Sequence, residues 1–435
     1  MSRRRAAGFV LGLLALLATA PAWAQTPAVS RARLANGLTV LVRENPTAPV
    51  VGISLMVRMG TRGETADVAG ISNLVQLMVV RGTTTRSGGQ IVEAADAMGG
   101  SIEATGDVDY SEIAATALSR HWVELLELVA DVTLRPTFPD GVVVAVRDFL
   151  LRQVRNRGDK PYDTALDTLT ARVFGRHPYA WDPIGLKDSL ERLDRNALVG
   201  HYQRHYVPGG MVLAVSGRVK TAEVMTQVTR LFGAMPNGTA PLPAPASPPA
   251  PATWRETRVV PGAQAQILMG ALAPALTDPD YAAVKVLASV LGGGMAGRFF
   301  SELRDKQGLA YTTAAQYPAR VDNSYFLAQL GTAPENAARA EAALRAQLER
   351  AQREPPSDEE LRVAKAYLLG NLAMDRRTNA RQAWYLAAYE QSGVGYEFLD
   401  RYVAAVRAVS AADVQRVARR YLAVLRTVVV QPTPP

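Results

Sequence analysis

Gly70-Ile71-Ser72-Asn73-Leu74-Val75-Gln76-Leu77-Met78-Val79-Val80-Arg81-Gly82-Thr83 is the stretch on which the reading of this chain turns. Ile71, Leu74, Val75 and Met78 recur at helical spacing, which predicts a core helix opened by a glycine and closed by Arg-Gly-Thr. Asn73, Gln76 and Leu77, at i, i+3 and i+4, share one face of that helix. The three side chains on that face offer little for binding a metal or taking a proton. Zinc catalysis needs imidazole or carboxylate donors to hold the ion and a carboxylate to take the proton of its water. Leu77 has no donor atom, Asn73 offers only an amide oxygen, and the amide of Gln76 has no useful basicity.

A second informative stretch lies far downstream: Leu291-Gly-Gly-Gly294-Met-Ala-Gly-Arg-Phe-Phe-Ser-Glu302-Leu-Arg304-Asp-Lys-Gln-Gly308-Leu-Ala-Tyr311. Together, in this order and at this separation, the two resemble the pitrilysin/insulinase metallopeptidases, the inverzincins. In that family a glycine precedes H-x-x-E-H and Lys/Arg-Gly-Thr follows it. Counting back from Arg81-Gly82-Thr83, the first histidine falls on Asn73, the glutamate on Gln76 and the second histidine on Leu77. The family's third ligand is a glutamate in a later Glu-Glu-Ile-like run. The corresponding Phe149-Leu-Leu-Arg152-Gln153-Val154-Arg155 carries Arg152 and Gln153 instead, and a cation there would repel a metal. The resemblance also implies that Arg304 and Tyr311, seven residues apart, contact the substrate carbonyl. A guanidinium and a phenol can both donate to an oxygen that gains negative charge during attack, the charged donor more strongly.

The chain reads as two copies of one unit. Pro139-Asp140-Gly-Val-Val-Val-Ala-Val-Arg-Asp-Phe149-Leu-Leu151 parallels Ser357-Asp358-Glu-Glu-Leu-Arg-Val-Ala-Lys-Ala-Tyr367-Leu-Leu369, and Leu193-Asp194 leading to Tyr206 parallels Val409-Ser410 leading to Tyr421. From 139 to 357 and from 193 to 409 the offsets are 218 and 216, so the copies are collinear. A third match lays Gly100 on Gly308, with Arg304 opposite Asp96. Strands are expected at Leu38–Val42, Val51–Val57, Ser101–Thr105 and Met211–Ser216, then at Ala265–Met269, Tyr311–Gln316, Tyr325–Leu330 and Thr427–Val430. Helices are expected over most of the rest, notably Asn336–Glu354 and Asp358–Arg377. This is an α+β pattern: two homologous domains, each a mostly antiparallel sheet covered by helices on one face. The first runs over 28–238 and the second over 254–432, joined by a Pro/Ala spacer at 239–253 whose prolines favour an extended conformation.

Residues 1–24 have the form of a secretory signal: Arg3-Arg4-Arg5, a short apolar core to Ala20, and Ala22-Trp-Ala24 before Gln25. The apolar run is shorter than the roughly 20 residues a membrane span requires, so cleavage near Ala24/Gln25 and a periplasmic destination are expected. The absence of cysteine excludes a lipoprotein and a disulfide framework. Removing the three arginines lowers the formal charge of +8 by three, to +5, spread among 40 acidic residues. That is a solvated surface, not a nucleic-acid footprint, and no second long apolar run suggests a span in the mature chain.

His201-Tyr-Gln-Arg-His205 puts two imidazoles at i and i+4, a chelating spacing, but two ligands are not a metal site. Gly292-Gly-Gly294 lacks the ending of a phosphate loop and reads as a flexible lip over a peptide channel. The resemblance therefore implies a zinc-less subunit of a heterodimeric, exported peptidase, of the kind seen in mitochondrial processing peptidase subunits. Such a chain would be inactive alone and hold no metal. Zinc would sit on a homologous partner carrying H-x-x-E-H, with peptides as substrates and the Arg304/Tyr311 pair donated across the interface. The alternative is a structural or peptide-binding protein that keeps the fold without any proteolytic role.

Overall fold

The structure, a computed structural model, describes residues 28–433 apart from 243–248 and 251. The segment expected to be a secretory signal and the middle of the Pro/Ala spacer therefore lie outside the described residues. The first half forms one sheet from β1 (Val29–Arg33), β2 (Thr39–Glu44), β3 (Val50–Val57), β4 (Ser101–Gly106), β5 (Ser111–Leu118) and β6 (Met211–Gly217), in the spatial order β1-β2-β6-β3-β5-β4. The second half builds another from β7 (Trp254–Val260), β8 (Ala265–Ala273), β9 (Thr312–Gln316), β10 (Ser324–Thr332) and β11 (Arg426–Pro432), in the order β7-β11-β8-β10-β9. Setting aside β1, the two orders are the same. In each sheet one pair is parallel, β2 with β6 and β7 with β11, and every other pair is antiparallel.

The helices repeat as well. The Asp140–Gly158 helix corresponds to Asp358–Asp375, and Arg195–His205 to Ala411–Tyr421. Asp194 and Ser410 accept from the third backbone N–H of the latter two, each relieving an orphan donor. In the third match the glycines that close the two segments in left-handed conformation are Gly99 (φ +67°) and Gly308 (φ +62°). Matching these two glycines instead of Gly100 and Gly308 sets Arg304 against Ala95, one residue from the sequence expectation of Asp96. The two segments also differ in winding: Gly88–Ala97 is an α-helix, whereas Phe299–Asp305 is a π-helix with a wider turn.

One face of each sheet carries its own helices, as the sequence suggested. The other face is covered by a single helix from the opposite half. Asn379–Gln391 crosses onto the first sheet, where Ala383, Leu386 and Ala387 pack with Leu41, Met56, Val212 and Ala214. Pro161–Phe174 crosses onto the second, where Ala165, Leu169, Val173 and Phe174 pack with Leu268, Leu327, Val428 and Val430. Close approach is built into the sequence: a Cβ on Gly52 of β3 would stand 2.5 Å from Ala380 Cα. With both faces covered, β6 is buried along its whole length and β3 at every position but its first. Each fully buried Leu, Val or Phe at these seams contributes about 1.5–3 kcal/mol, so the two halves stabilise one another.

A polar seam reinforces the exchange. Arg62 of the first half makes a two-pronged pair with Asp322 of the second, at 2.6 and 2.9 Å. His177 Nε2 lies 3.4 Å from the same carboxylate. Burial opposes ionisation of Asp322, yet His177 and Arg62 hold it down to about 2. Beside it the Tyr179 hydroxyl donates to Asp109, which also accepts the Val321 N–H at 3.1 Å.

Candidate functional site

The Ile71–Val79 helix is held at both ends by residues that have no part in metal chemistry. Gly70 caps it in left-handed conformation (φ +94°), and a Cβ there would meet Gly185 Cα at 2.7 Å. The buried Glu64 carboxylate accepts the Gly70 and Ser72 N–H groups, each at 2.8 Å, where the helix leaves its first donors unpaired. Burial pushes the Glu64 carboxyl up, against those two bonds. At the far end Thr83 Oγ1 donates to the buried Asp131 at 2.8 Å, and Arg86 pairs with the same carboxylate at 2.8 Å. The glycine and the Gly-Thr that frame the sequence signature are thus scaffolding, which explains how the frame persists without its functional groups.

Within the helix, Asn73 and Leu77 are half-buried and one turn apart, as the spacing predicts. Gln76 is fully buried, and both ends of its amide are committed. Its Nε2 donates to the Glu112 carbonyl of β5 at 2.5 Å, and its Oε1 accepts from the Tyr206 hydroxyl at 2.7 Å. Tyr206 is a partner that sequence reasoning missed, because it comes from the end of a helix 130 positions away. Edge strand β4 packs directly on this helix: a Cβ at Gly106 would lie 2.9 Å from Asn73 Cα. The Asp140–Gly158 helix, which carries the half-buried Gln153, joins the same core through Leu151 and Val154 beside Leu77.

Zinc does not fit this stripe. A carboxamide, an amide already bonded at both ends and an alkyl chain cannot replace two imidazoles and a base. Among the described residues no group of three or more His, Asp or Glu side chains stands close enough together to ligate a metal. The His201/His205 pair lies beneath the helix, with ring centroids 4.4 Å apart. His201 Nε2 meets Ser72 Oγ at 3.1 Å, and His205 Nδ1 donates to the Arg58 carbonyl at 2.9 Å. Burial, with His205 and Arg204 nearby, brings His201 down to about 3, and burial also lowers His205. They are neutral structural imidazoles, each with a hydrogen-bond partner.

The other candidate pair is brought together. Arg304 leaves the exposed side of the π-helix, its Nη1 donates to the Tyr311 carbonyl at 3.2 Å, and its guanidinium lies 4.9 Å from the centre of the Phe300 ring. The Tyr311 side chain is 57 % exposed. Its N–H donates to Gly331 at 2.9 Å, placing it just ahead of β9, the edge strand of the second sheet. The π-helix is anchored by Arg298, itself buried, in a two-pronged bond to Glu360 at 2.6 and 2.9 Å. That bond holds Glu360 down to about 2. No hydrogen bond among the described residues joins Arg304 or Tyr311 to Asn73, Gln76, Leu77 or Gln153.

The Gly292–Gly294 run, expected as a flexible lip, is fitted closely to its neighbours. A Cβ on Gly292 would lie 2.2 Å from Ala315 N, and Gly294 (φ +69°) abuts the Tyr367 ring, so the glycines let the helix end pack flat against β9.

With this geometry in view, residues 39–182 match the pattern of the family described as Insulinase (Peptidase family M16), and residues 192–368 match that described as Peptidase M16 inactive domain. The chain belongs to the insulinase, or pitrilysin, family of peptidases. Among its M16 relatives, an uncharacterized zinc protease of Mycobacterium leprae is 30 % identical over 297 residues, 66 % of each chain. One of Mycobacterium bovis is 28 % identical over 405 residues, 92 % of each chain. In fold, a protease from Helicobacter pylori superposes with a TM-score of 0.88 at 21 % identity, covering 94 % of this chain and all of the other. A peptidase M16 inactive domain from Pseudomonas fluorescens gives 0.86 at 23 % identity, covering 93 % and 98 %.

Proposed function

We propose that this M16 chain is the zinc-less subunit of an exported peptidase, contributing Arg304 and Tyr311 to a homologous partner that carries H-x-x-E-H and its zinc. The observation that carries the reading is a contrast between the two halves. In the first, the scaffold of the metal helix is intact while its donors are an amide, a buried glutamine bonded to Tyr206, and a leucine. In the second, Arg304 and Tyr311 are held side by side and open to solvent at a sheet edge. The family membership supports peptide hydrolysis as the context. Unpaired main-chain groups of β9 offer an extended peptide a strand to join, with affinity from the backbone and little sequence preference. The bound carbonyl then lies within reach of a charged donor and a phenol.

The reading is tested by pull-down from the native periplasm followed by reconstitution. A co-purifying protein of similar length with an intact H-x-x-E-H, and peptide cleavage only when both chains are present, is the expected result. Peptidase activity of the partner that is unchanged by adding this chain would refute it.

A further inference from the structure

Two arginines at the seam between the halves line one cavity, and neither makes an ion pair among the described residues. Arg43 lies on β2, two residues beyond Leu41 and so on the face that the Asn379–Gln391 helix covers, and it pairs in register with Val29. Arg376 caps the end of the Asp358–Asp375 helix, immediately before the crossing. Arg43 Nη1 and Arg376 Nε are both buried with no hydrogen-bond partner. Burial and the charge of Arg376 together lower the Arg43 guanidinium from its ordinary value. Both line a cavity of about 270 Å³ that also presents the Gln382 amide and the Tyr385 ring.

The obvious counter-ions are engaged elsewhere or stand off. Asp375, the nearest acid in sequence to Arg376, accepts from Arg381 and the Tyr385 hydroxyl, each at 2.7 Å. Glu397 and Asp400 sit at the exposed rim, and no ion pair joins either to Arg43 or Arg376 among the described residues. Residues 1–27, 243–248, 251 and 434–435 contain no aspartate or glutamate side chain that could fill the gap. Arg376 Nη2 reaches Gln382 Oε1 at 3.5 Å, but two part-buried guanidinium groups that each keep one buried donor unpaired and repel one another are stabilised by an anion between them. The cavity is smaller than those that hold drug-sized ligands or peptides, so its occupant is small.

We propose that the Arg43–Arg376 cavity binds a small oxyanion, phosphate or carboxylate, between the first sheet and the helix that crosses onto it from the second half. The two guanidinium forks supply planar donors suited to paired oxygens, and Gln382, whose Nε2 donates to the Arg376 carbonyl at 2.6 Å, holds Arg376 in place beside the cavity. The anion neutralises the seam and ties β2 to the crossing helix, so its binding stabilises the association of the halves. This site is independent of the peptidase reading.

The test is calorimetric titration of the whole chain with inorganic phosphate and, separately, with glutarate, at constant ionic strength in chloride buffer. Saturable binding of one anion per chain is expected, with phosphate alone or glutarate alone identifying which oxyanion the cavity takes. Arg376→Gln should weaken that binding by at least about tenfold, the effect of losing one charge-assisted bond. Glu397→Gln, at the exposed rim, should tighten it by removing a competing charge, a readout that does not depend on the arginine variants folding. Absence of saturable heat for both anions up to about 10 mM overturns the proposal. So does binding that is equal in wild type, Arg376→Gln and Glu397→Gln.

Discussion

Gln76 is the residue whose chemistry most sharply separates this chain from a zinc peptidase, because it is bonded as a neutral donor and acceptor at once. A glutamate cannot donate to the Glu112 carbonyl, so Gln76→Glu would set a buried charge against a buried acceptor. Gln76→Ala would leave that carbonyl and the Tyr206 hydroxyl unpaired, and should cost about 2–5 kcal/mol, read from denaturant unfolding. A variant as stable as wild type would show that the bonds are dispensable. Arg304 is the opposite case. It is exposed and anchors nothing in the core, so Arg304→Ala should change stability by less than about 0.5 kcal/mol. In the reconstituted pair the same change should cut turnover by roughly 10–1000-fold, and wild-type turnover would remove Arg304 from the site. Sequence could mark Asn73, Gln76, Leu77, Arg304 and Tyr311 because each has a fixed distance from a glycine landmark. It could not supply Tyr206, whose only claim is an approach made by the folded chain.

At the level of elements, the acid response follows from the helix that carries His201 and His205. His201 is neutral in the folded chain down to about 3 but titrates near 6.5 when unfolded. Below pH 6.5 the unfolded state therefore binds more protons, and stability falls as pH falls from 6.5 toward 3, by up to about 1.4 kcal/mol per pH unit for this group. Asp322 adds a second loss at lower pH, as the medium falls below its ordinary value toward about 2. His201→Asn should flatten the slope of stability between pH 6 and about 4, measured by urea unfolding across that window. An unchanged slope would remove His201 from the acid response.

The crossing helix gives another test at this scale. Gly52→Val would drive a branched side chain into Ala380, costing about 1–3 kcal/mol or more, and full stability there would deny the close approach. Elements with a strong local signal were legible: the helices starting at Asp140 and Asp358 begin where the acidic caps place them. β5 was not, because Ser-Glu-Ile-Ala-Ala-Thr-Ala-Leu is rich in alanine and its strand state is imposed by pairing with β3 and β4. β1 and β7 were also missed; they are exposed flanking strands whose mixed polar sequences show no apolar run.

For the whole molecule, the reciprocal exchange of the Pro161–Phe174 and Asn379–Gln391 helices was not legible, because an amphipathic pattern says that a helix is buried and not which sheet it covers. One trace of it did exist. Met211-Val-Leu-Ala-Val-Ser216 is a continuous run, not an alternating one, and such runs accompany sheets covered on both faces. The exchange makes a prediction about folding units: residues 28–238 and 254–432 expressed separately should expose apolar sheet faces and aggregate or bind a hydrophobic dye, and co-expression should restore a soluble complex. Two independently stable, monomeric halves would contradict the exchange. On the function proposed above, the two scaffolds, one without metal donors and one presenting Arg304 and Tyr311, divide hydrolysis between a pair of chains. The direct test is the zinc content and peptidase activity of the purified chain alone, free of its partner. Far less than one zinc per chain and no chelator-sensitive cleavage is the predicted result; one tightly held zinc per chain with chelator-sensitive cleavage of peptides would contradict the account.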